Sequence, residues 1–593
     1  MDDDDEYEKE RLENIKRNQE LLKGLDLVGH SAAPRRSTGS NNGKSTSRSK
    51  PNKKPTPKKR EQPERIQPRR VSNRLAGIEA DSETYKRKAE EEAESARKQY
   101  EAEKRARHEA HDLGFLLGLD EKAESDERKQ MADLELALRG ISSVRPTLGA
   151  DMMEDLKELK RRKANGNNAE KHKELKEVMD RMELLSVDKV VMRRVYSMIV
   201  HPNADKDLVF VADKEGSIGV WDPLAKNESN AGEDEEEDMN SGRSWSLQVH
   251  GKSPITCLRF DPISADSLFS SSYDSTIRMQ SLQNGVSTEV WGGQDDVLIS
   301  IFDILAPQSH PSAFLRTPDA GLDERSLWIA DHRGGLCHFD LRQSGRRKAE
   351  TSRWQVCEKK IGGMSINPTV SSCISVASLD QHVRLFDVRN LQTLPTTNEA
   401  PYSARNVDDE VLRAAEENAQ IAYHKAKLAC TSVDWDPTGT KLVGVSYDDM
   451  VKIWDMKPSW LHTASGPPTL NATPAKKSKV KQEQADTFTS APDRPDDILA
   501  KMHSIRHNNQ TGKWLTLFRA RFNANPTVES HFSIGSMDRR AEIWAADGTL
   551  LRSFYDEDHV TAVPAVTATH PRRVGRLATG NASGKCTFWG ERQ

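Results

Sequence analysis

Residues 378–389 read SLDQHVRLFDVR. Small or polar residues, an Asp, a turn and an apolar strand follow one another here, and the same order occurs six more times along the chain. The repeated position holds Asp213, Asp274, Asp331, Asp380, Asp448, Asp538 and, in the last copy, Asn581. Successive spacings are 61, 57, 49, 68, 90 and 43 residues. Because the shortest spacing matches one four-stranded blade, the repeat predicts an all-β protein, a seven-bladed β-propeller.

Two copies end in the Trp-Asp dipeptide that is typical of WD40 repeats, at Trp221-Asp222 and Trp454-Asp455. In such blades the repeated Asp caps a tight turn, so we expect it to have a structural role. The segment VDKVV at 187–191 is expected to complete the last blade, because closing the ring removes open sheet edges. We predict a WD40 propeller over residues 186–593, with insertions at 223–246, 391–425 and 457–505.

The residues ahead of the propeller are highly charged. We predict a short amphipathic helix in residues 1–30, a disordered basic arm in 31–80 and a charged helical or linker region in 81–185. Between Arg35 and Arg74 there are 14 Lys or Arg against two Glu. Such clusters suit a nuclear import receptor or the DNA backbone, and a solubilising tail is the alternative. The candidate import residues are Lys53, Lys54, Lys58, Lys59 and Arg60.

Neither the composition nor the motifs point to an enzyme or a membrane protein. The six cysteines form no CxxC pair, so we expect reduced thiols packed in strands. No apolar run approaches the roughly 18 residues of a membrane span, and we expect a soluble, intracellular protein without a membrane partner. GNASGK at 580–585 has three residues between its glycines, whereas a phosphate-binding loop needs four. We therefore expect no catalysis, no metal ion and no other cofactor.

Several segments are more specific than a generic WD repeat. They are RLENIKRNQELLKGL (11–25), PRRVSNRLAGI (68–78), SLDQHVRLFDVRNL (378–391), HNNQTGKWLTLFRARF (507–522) and VTAVPAVTATHP (560–571). Together they closely resemble the changed-mutation-rate family of fungal WD-repeat DNA damage-binding proteins. The resemblance implies a nuclear protein that binds single- and double-stranded DNA, prefers UV-damaged DNA and acts in DNA metabolism.

The competing hypothesis is a nuclear scaffold whose DNA contact is incidental. Such a propeller would recruit chromatin, replication or repair proteins, or would serve as a substrate receptor of a cullin ubiquitin ligase. KKIGGMSINP (359–368), with the blade that follows, is similar to the central blade of the small damage-recognising subunit of the UV-damaged-DNA-binding complex. That similarity implies that Lys360 contacts DNA and that Arg389 docks a ligase adaptor. A second box, FDLR, adds Arg342, but Phe replaces Trp in both boxes, and strand-end salt bridges are the alternative.

The stretch RHNNQTGKW (506–514) is the second point of similarity with that subunit. Arg506 and His507, with LTLFRARF at 515–522, resemble the flanks of the hairpin that probes a lesion, whereas NNQTGKW departs from it. Gly512 permits a tight turn, and the amides can hydrogen-bond to exposed base edges. The candidate contacts are Gln510 with its neighbours Asn508 and Asn509 for bases, Lys513 for phosphate and Trp514 for stacking. The alternative is that Trp514 belongs to a strand and packs inside a blade.

Basic residues recur beside the repeated turns. They are Arg278, Arg333, Arg384, Lys452, Arg539 and Lys585. A closed ring brings these turns to a common face, where outward-pointing cations would form a positive rim for duplex phosphates. We include Arg278 and Arg333 among the DNA-binding candidates, and salt bridges within each blade are the alternative.

Overall fold

The fold was examined in a computed structural model. It describes residues 109–119, 125–142, 168–226, 239–262, 264–293, 297–305, 326–341, 352–396, 409–461 and 497–592. Several predictions from the sequence fall outside these residues. They are the N-terminal helix, the basic arm with Lys53, Lys54, Lys58, Lys59 and Arg60, and the adaptor candidate Arg342.

The predicted seven-bladed propeller is confirmed, and each blade is a sheet of antiparallel strands. Blade one contains β3 (Val195–Val200), β4 (Val209–Asp213), β5 (Ser217–Asp222) and β6 (Arg243–Gln248). Blade two contains β7 (Ile255–Phe260), β8 (Ser267–Ser272), β9 (Thr276–Ser281) and β10 (Val286–Gly292). Blade three contains β11 (Ile299–Leu305), β12 (Ser326–Asp331), β13 (Gly335–Asp340) and β14 (Ser352–Gln355). Blade four contains β15 (Ile361–Ile366), β16 (Cys373–Ser378), β17 (His382–Asp387) and β18 (Gln420–Lys425).

The remaining three blades follow the same order. Blade five contains β19 (Cys430–Trp435), β20 (Lys441–Ser446), β21 (Met450–Asp455) and β22 (His503–Arg506). Blade six contains β23 (Arg521–Phe522), β24 (His531–Ser536), β25 (Arg540–Ala545) and β26 (Leu550–Phe554). Blade seven contains β27 (Val566–Thr569), β28 (Arg576–Gly580), β29 (Cys586–Gly590) and, from the other end of the sequence, β2 (Glu183–Asp188).

The ring closes through β2, which pairs with β29 in an antiparallel register that includes Val187 opposite Thr587. The sequence predicted this closure, although the strand begins four residues before the VDKVV segment at 187–191. Pairing β2 with β29 gives blade seven its fourth strand and covers an otherwise open sheet edge. Both ends of the propeller sequence are therefore held in one sheet.

The repeated Asp residues stabilise the turns between the second and third strands. Asp331 Oδ1 accepts hydrogen bonds from the backbone N–H groups of Arg333 and Gly335, both at 2.8 Å. Asn581 Oδ1 replaces the carboxylate in blade seven, where it accepts from the N–H of Ser583 and of Lys585. The structural role predicted for this set follows from these bonds, because each satisfies turn donors that the strands leave unpaired.

Blade two extends this turn into a buried network. His250 lies with Nδ1 2.8 Å from Asp274 Oδ2 and with Nε2 2.9 Å from Ser270 Oγ. Burial opposes the charge of Asp274, but the neighbouring His250 and the hydrogen bonds from Thr276 lower the pKa of this carboxyl to about 2. The network is therefore part of the framework that holds the turn.

Three helices precede or flank the ring: α1 (Leu113–Leu117), α2 (Ser125–Ser142) and α3 (Asn168–Asp180). The first two bury leucines in one apolar cluster with blades one and two, and β1 (His111–Asp112) adds a fifth strand to blade two. Helix α3 packs Leu175 and Met179 against the cluster of blade six. Two further helices, α4 (Val388–Leu391) and α5 (Asp409–Asn418), and a 3-10 helix (Pro458–Leu461) follow third strands.

Two details differ from the sequence-based expectations or refine them. The fourth strands β18 and β22 lie in the C-terminal parts of the segments predicted as insertions, at 391–425 and 457–505. All six cysteines are buried free thiols, and five of them lie in strands, whereas Cys357 follows β14. None of the described helices combines the length and the apolar character that a membrane span requires.

Candidate nucleic-acid interface

One face of the propeller carries the sequence-predicted DNA contacts. Adjacent strands are antiparallel, so the residues before each first strand lie at the same end as the turn between the second and third strands. Lys360 precedes β15, Lys513 and Trp514 precede β23, and Tyr273 occupies the turn between β8 and β9. We call this end of the ring the turn face. It brings together candidates from blades two, four and six.

The connection from β22 to β23 is held to blade five at its beginning. The backbone N–H of His507 donates to the carbonyl of Asp449 at 3.0 Å, and the N–H of Asn509 donates to Asp449 Oδ1 at 3.0 Å. Asn509 is buried, and its side-chain amide donates to the carbonyl of Ser446 at 2.9 Å. These bonds fix residues 507–509 against the turn between β20 and β21.

The far end of the same connection is held to blade one. Arg194 Nη1 donates to the carbonyl of Lys513 at 3.0 Å, and its Nη2 donates to the hydroxyl of Tyr196 at 3.1 Å. The hydroxyl of Thr516 donates to the carbonyl of Val195, the first residue of β3. Because blades five and one are not neighbours in the ring, the connection crosses the end of the central channel at the turn face.

Between these attachments, residues 512–515 form an exposed turn. Gly512 has φ +59, in the left-handed region that favours glycine, and a side chain there would meet open space. Trp514 lies in the turn with 75% of its surface exposed, and Lys513 Nζ sits 4.8 Å from the centroid of its indole ring. The alternative that Trp514 packs in a strand is wrong. The exposed turn presents an aromatic plane and a cation on a backbone that is fixed on both sides.

Lys360 forms a second aromatic and cationic pair on the turn face. Its Nζ donates to the hydroxyl of Tyr273 at 2.7 Å and lies 5.1 Å from the centre of that ring. Both side chains are partly exposed. The contact joins blade four to blade two, so Lys360 is held over the face. Its ammonium keeps donors available for a phosphate, because one of three N–H groups is used by the tyrosine.

Three of the predicted DNA contacts have structural roles instead. Arg278 is 1% exposed, and its guanidinium donates to Ser287 within the blade and to the carbonyl of Glu109 at 2.7 Å. His507 is buried, with Nδ1 2.8 Å from Asn509 Oδ1. Gln510 is exposed, but its side-chain amide donates to the carbonyl of Tyr447 and to Asp449 Oδ1. Arg278 and His507 therefore do not reach the surface, and Gln510 fixes the segment.

Of four other candidate cations, two are at least partly exposed and two are buried within a blade. Arg506 is exposed at the end of β22, and Arg333 is partly exposed beside its turn. Arg384 and Lys452 are buried and pair with their own turn carboxylates, Asp380 and Asp448, at 2.7 Å each. For these last two, the interpretation as salt bridges within a blade is confirmed, and neither belongs to an open rim.

Arg389, the candidate for adaptor docking, forms a salt bridge at the end of its strand. Its Nη2 lies 2.7 Å from Asp387 Oδ2, and its Nε donates to Asp387 Oδ1 at 3.0 Å. This two-point contact raises the pKa of the Arg389 guanidinium, chiefly through the hydrogen bonds to Asp387. The side chain remains more than half exposed, so it is both a strand-end salt bridge and an accessible group. Docking stays a prediction.

The comparisons with known proteins agree with this geometry. The family described as WD domain, G-beta repeat matches residues 242–279 and 419–455. A protein of Mycosarcoma maydis named DNA damage-binding protein CMR1 is 49% identical over 643 aligned positions, which cover 99% of each chain. The chain belongs to the CMR1 family. The resemblance found in the sequence is thereby confirmed.

Other CMR1 proteins are also similar over most of their length. The protein of Cryptococcus neoformans var. neoformans is 32% identical over 88% of this chain and 87% of its own. The protein of Aspergillus clavatus is 30% identical over 98% of each chain. The similarity therefore extends beyond the propeller into the N-terminal part of the CMR1 sequences.

Three residues of this CMR1-family face were missed by the sequence analysis. Arg194 holds the exposed turn, Tyr273 positions Lys360, and Met192, two residues before Arg194, is 69% exposed. Arg194 and Tyr273 act through partners that are 319 and 87 residues away in sequence. Of these three residues, only Met192 could have been noticed from the local sequence, because it is an apolar residue beside two arginines in VMRRVY.

Proposed function

We propose that this protein binds single- and double-stranded DNA through the turn face, prefers UV-damaged DNA and acts without catalysis in DNA metabolism. Its relatives in three fungi are named DNA damage-binding protein CMR1. The observation that carries the proposal is the exposed turn, where the indole of Trp514 projects into solvent from a segment held by blades five and one.

The mechanism follows from the two kinds of group on this face. An exposed indole can stack on a base that has left the helix, which is worth about 1–3 kcal/mol per base. Lys513 and Lys360 can contact phosphates, which positions the DNA without reading its sequence. A lesion lowers the cost of unstacking and bending the duplex, so stacking by Trp514 is less costly at a damaged site. Preference for damage thus requires the indole and the lysines that hold the duplex on this face, whereas the basic arm contributes affinity for any DNA strand.

The test is competition binding at fixed, near-physiological salt. A labelled UV-irradiated duplex is displaced by unlabelled intact duplex and, in a parallel series, by an unlabelled single strand, from the full chain and from the double variant Lys360→Glu with Lys513→Glu. We expect the variant to lose affinity for the damaged duplex by more than it loses affinity for a single strand. The reason is that Lys513 lies beside the proposed lesion contact and Lys360 lies on the same turn face, whereas a single strand can bind the basic arm in many registers.

The matched control is Lys457→Glu. Lys457 also lies over a tryptophan, with Nζ 5.3 Å from the ring centroid of Trp460, but it follows β21 at the opposite end of the ring. The control reverses one charge, as each substitution in the double variant does, and should leave the preference for damage unchanged. Equal losses on damaged duplex and single strand in the double variant would contradict a lesion-reading face.

We also infer that the protein acts in the nucleus and that the basic arm contributes sequence-independent affinity. The support is the density of Lys and Arg between Arg35 and Arg74. Replacing Lys58, Lys59 and Arg60 with alanine in a fluorescent fusion should shift the signal towards the cytoplasm. An unchanged nuclear signal would remove these residues from the import signal.

A further inference from the structure

The central channel contains a cluster of charged side chains that the proposed DNA contacts do not use. Arg259 lies on β7, Arg521 begins β23 and Arg519 lies just before it, while Asp303 and Asp434 lie on β11 and β19. The three arginines line a cavity of about 320 Å³ together with Asp434 and with Asp261, which follows β7. The channel therefore holds three cations and three carboxylates, and Asp303 is the one of these six groups that lies outside the lining of the cavity.

Asp303 and Asp434 are each paired with an arginine and a backbone N–H group. Asp303 Oδ2 accepts from the N–H of Ile366 at 3.0 Å, and its Oδ1 lies 3.4 Å from Arg259 Nε. Asp434 Oδ2 accepts from the N–H of Phe522 at 2.9 Å, and its Oδ1 lies 3.4 Å from Arg521 Nη1. Asp303, on blade three, thereby contacts the first strands of blades two and four, and Asp434, on blade five, contacts the first strand of blade six. Each of these two carboxylates neutralises one arginine.

Arg519 differs from the other two arginines because it has no carboxylate partner among the described residues. Its Nη1 donates to the carbonyl of Thr256 at 3.3 Å, and in the described part of the chain its Nε has no hydrogen-bond partner and no carboxylate lies within ion-pair distance. Arg259 Nε likewise has no hydrogen-bond acceptor among the described residues. Burial, together with the positive charge of Arg521, lowers the pKa of Arg519 to about 10. An enclosed guanidinium with free donors is costly unless an anion meets it.

We propose that this channel binds the phosphate group of a small molecule. Arginine donors in a planar fork match phosphate oxygens, and Arg519, which has no carboxylate partner among the described residues, favours an anion over a neutral ligand. The rest of the wall is largely apolar and includes Met198, Phe260, Phe522 and Val566. That wall suits the organic part of a phosphate ester. The cavity is near the lower end of the size range for small-molecule sites.

This site is separate from the DNA-binding surface. The lining includes Pro202, Pro262 and Pro571, which come after the ends of β3, β7 and β27. These residues lie at the end of the ring opposite the turn face. At the turn face itself, the segment that contains Thr516 crosses the end of the channel. A phosphate ligand would therefore enter from the opposite face, and bound DNA would leave that entrance open.

The experiment measures thermal unfolding of the full chain with increasing pyrophosphate, with ionic strength held constant by sodium chloride. We expect the midpoint to rise with saturation in the wild type, because a ligand that binds only the folded state stabilises it. Arg519→Gln should lose this rise, with at least a tenfold weaker apparent affinity. Without ligand, the variant should unfold at or above the wild-type midpoint, since it lacks a partly buried guanidinium that has no carboxylate partner among the described residues.

Arg540→Gln is the matched control. It removes an exposed arginine from β25 and should keep the full response to pyrophosphate. An equal rise in the wild type and in Arg519→Gln would overturn the proposal, as would the absence of any rise in the wild type.

A second measurement needs no variant. Equilibrium dialysis of labelled pyrophosphate against the wild-type chain, saturated with closed circular DNA, should retain about one bound equivalent, because the DNA occupies the basic arm and the turn face only. No retained pyrophosphate would overturn the proposal. If a 5′-phosphorylated single strand displaces the retained equivalent and the unphosphorylated strand does not, the phosphate is that of a DNA end. If neither displaces it, the source is a free small molecule.

Discussion

Replacing Trp514 with alanine is the most direct perturbation of the proposed function. The indole is 75% exposed and packs against little besides Lys513, so its removal should change the free energy of unfolding by less than about 0.5 kcal/mol. Stacking on one unstacked base contributes about 1–3 kcal/mol, which corresponds to roughly 5- to 150-fold in affinity. We therefore expect this loss on UV-damaged duplex and a much smaller loss on intact duplex, where no base is free to stack.

The assay is fluorescence anisotropy at an ionic strength of about 0.15 M, where surface charges are screened to a Debye length of about 8 Å. A labelled damaged duplex is displaced by intact duplex, and the ratio of the two affinities is compared between variants. Trp514→Phe should retain part of the preference because a smaller aromatic ring still stacks. Tyr423→Ala is the control, since Tyr423 is an exposed aromatic residue on the outer strand β18.

Two outcomes would refute the reasoning. If Trp514→Ala keeps the wild-type ratio, the indole does not read lesions. If it loses the same factor on damaged and intact duplex, Trp514 contributes only general affinity. The unfolding midpoint of each variant must be measured alongside, because a shift of several degrees would show that the ring supports the fold rather than the DNA.

Two further predictions concern the framework. Gly584→Ala should cost about 3 kcal/mol of unfolding free energy, because Gly584 has φ +88 and a Cβ there would collide with the carbonyl of Val191. Gly512→Ala, at φ +59 in open space, should cost about 1 kcal/mol, and similar urea midpoints for the two variants would contradict this. Burial, with the nearby His570 adding to it, lowers the pKa of His201 to about 4, so its contribution to stability is complete above the unfolded pKa of about 6.5 and declines as the pH falls towards 4. Urea unfolding near pH 7 and pH 5 should show that His201→Gln removes about 2 kcal/mol of this pH dependence, and an unchanged dependence in the variant would contradict the assignment.

The propeller could be predicted from the sequence because its main signal is local and repeated. Asp213 accepts from the backbone N–H groups of Glu215 and Ser217, and Asp274, Asp331 and Asp380 likewise accept from the residue two positions further on, so the turn signature is contained in a few consecutive residues. The closing strand was predictable for a different reason: a ring with an unpaired edge is unfavourable. For the insertion at 391–425, by contrast, the sequence indicated room for a short helix without its position: α5 lies in that segment, whereas α4 begins before it, at Val388.

Whether an individual Lys or Arg side chain points into the blade or out to the surface could not be predicted, because its orientation depends on contacts between segments that are distant in sequence. Arg278 and Lys360 both lie near turns, yet Arg278 turns inward to the carbonyl of Glu109, 169 residues away, and Lys360 stays at the surface beside Tyr273. His507 was predicted to contact DNA because Arg506 and His507 resemble a flank of a lesion-probing hairpin, but His507 is buried and packs against Phe518 and Asn509. A basic residue beside a repeated turn is therefore a candidate whose exposure only the tertiary structure decides.

The same long-range dependence links the proposed lesion contact to the closure of the ring. The exposed turn is positioned by Arg194 and by Val195, the first residue of blade one, and residues 189–194 join that blade to β2, which pairs with β29 in blade seven. If β2 were detached, blade one could move away from blade six, and the turn would lose the support of Arg194 while keeping its attachment to blade five. Trp514 would then remain exposed but would no longer be held in a fixed position. Ordering its side chain against a base would therefore cost additional conformational entropy on binding, and this cost would weaken the contact. Preference for damage should consequently be more sensitive to ring closure than general DNA affinity, which depends on charges that need no fixed position.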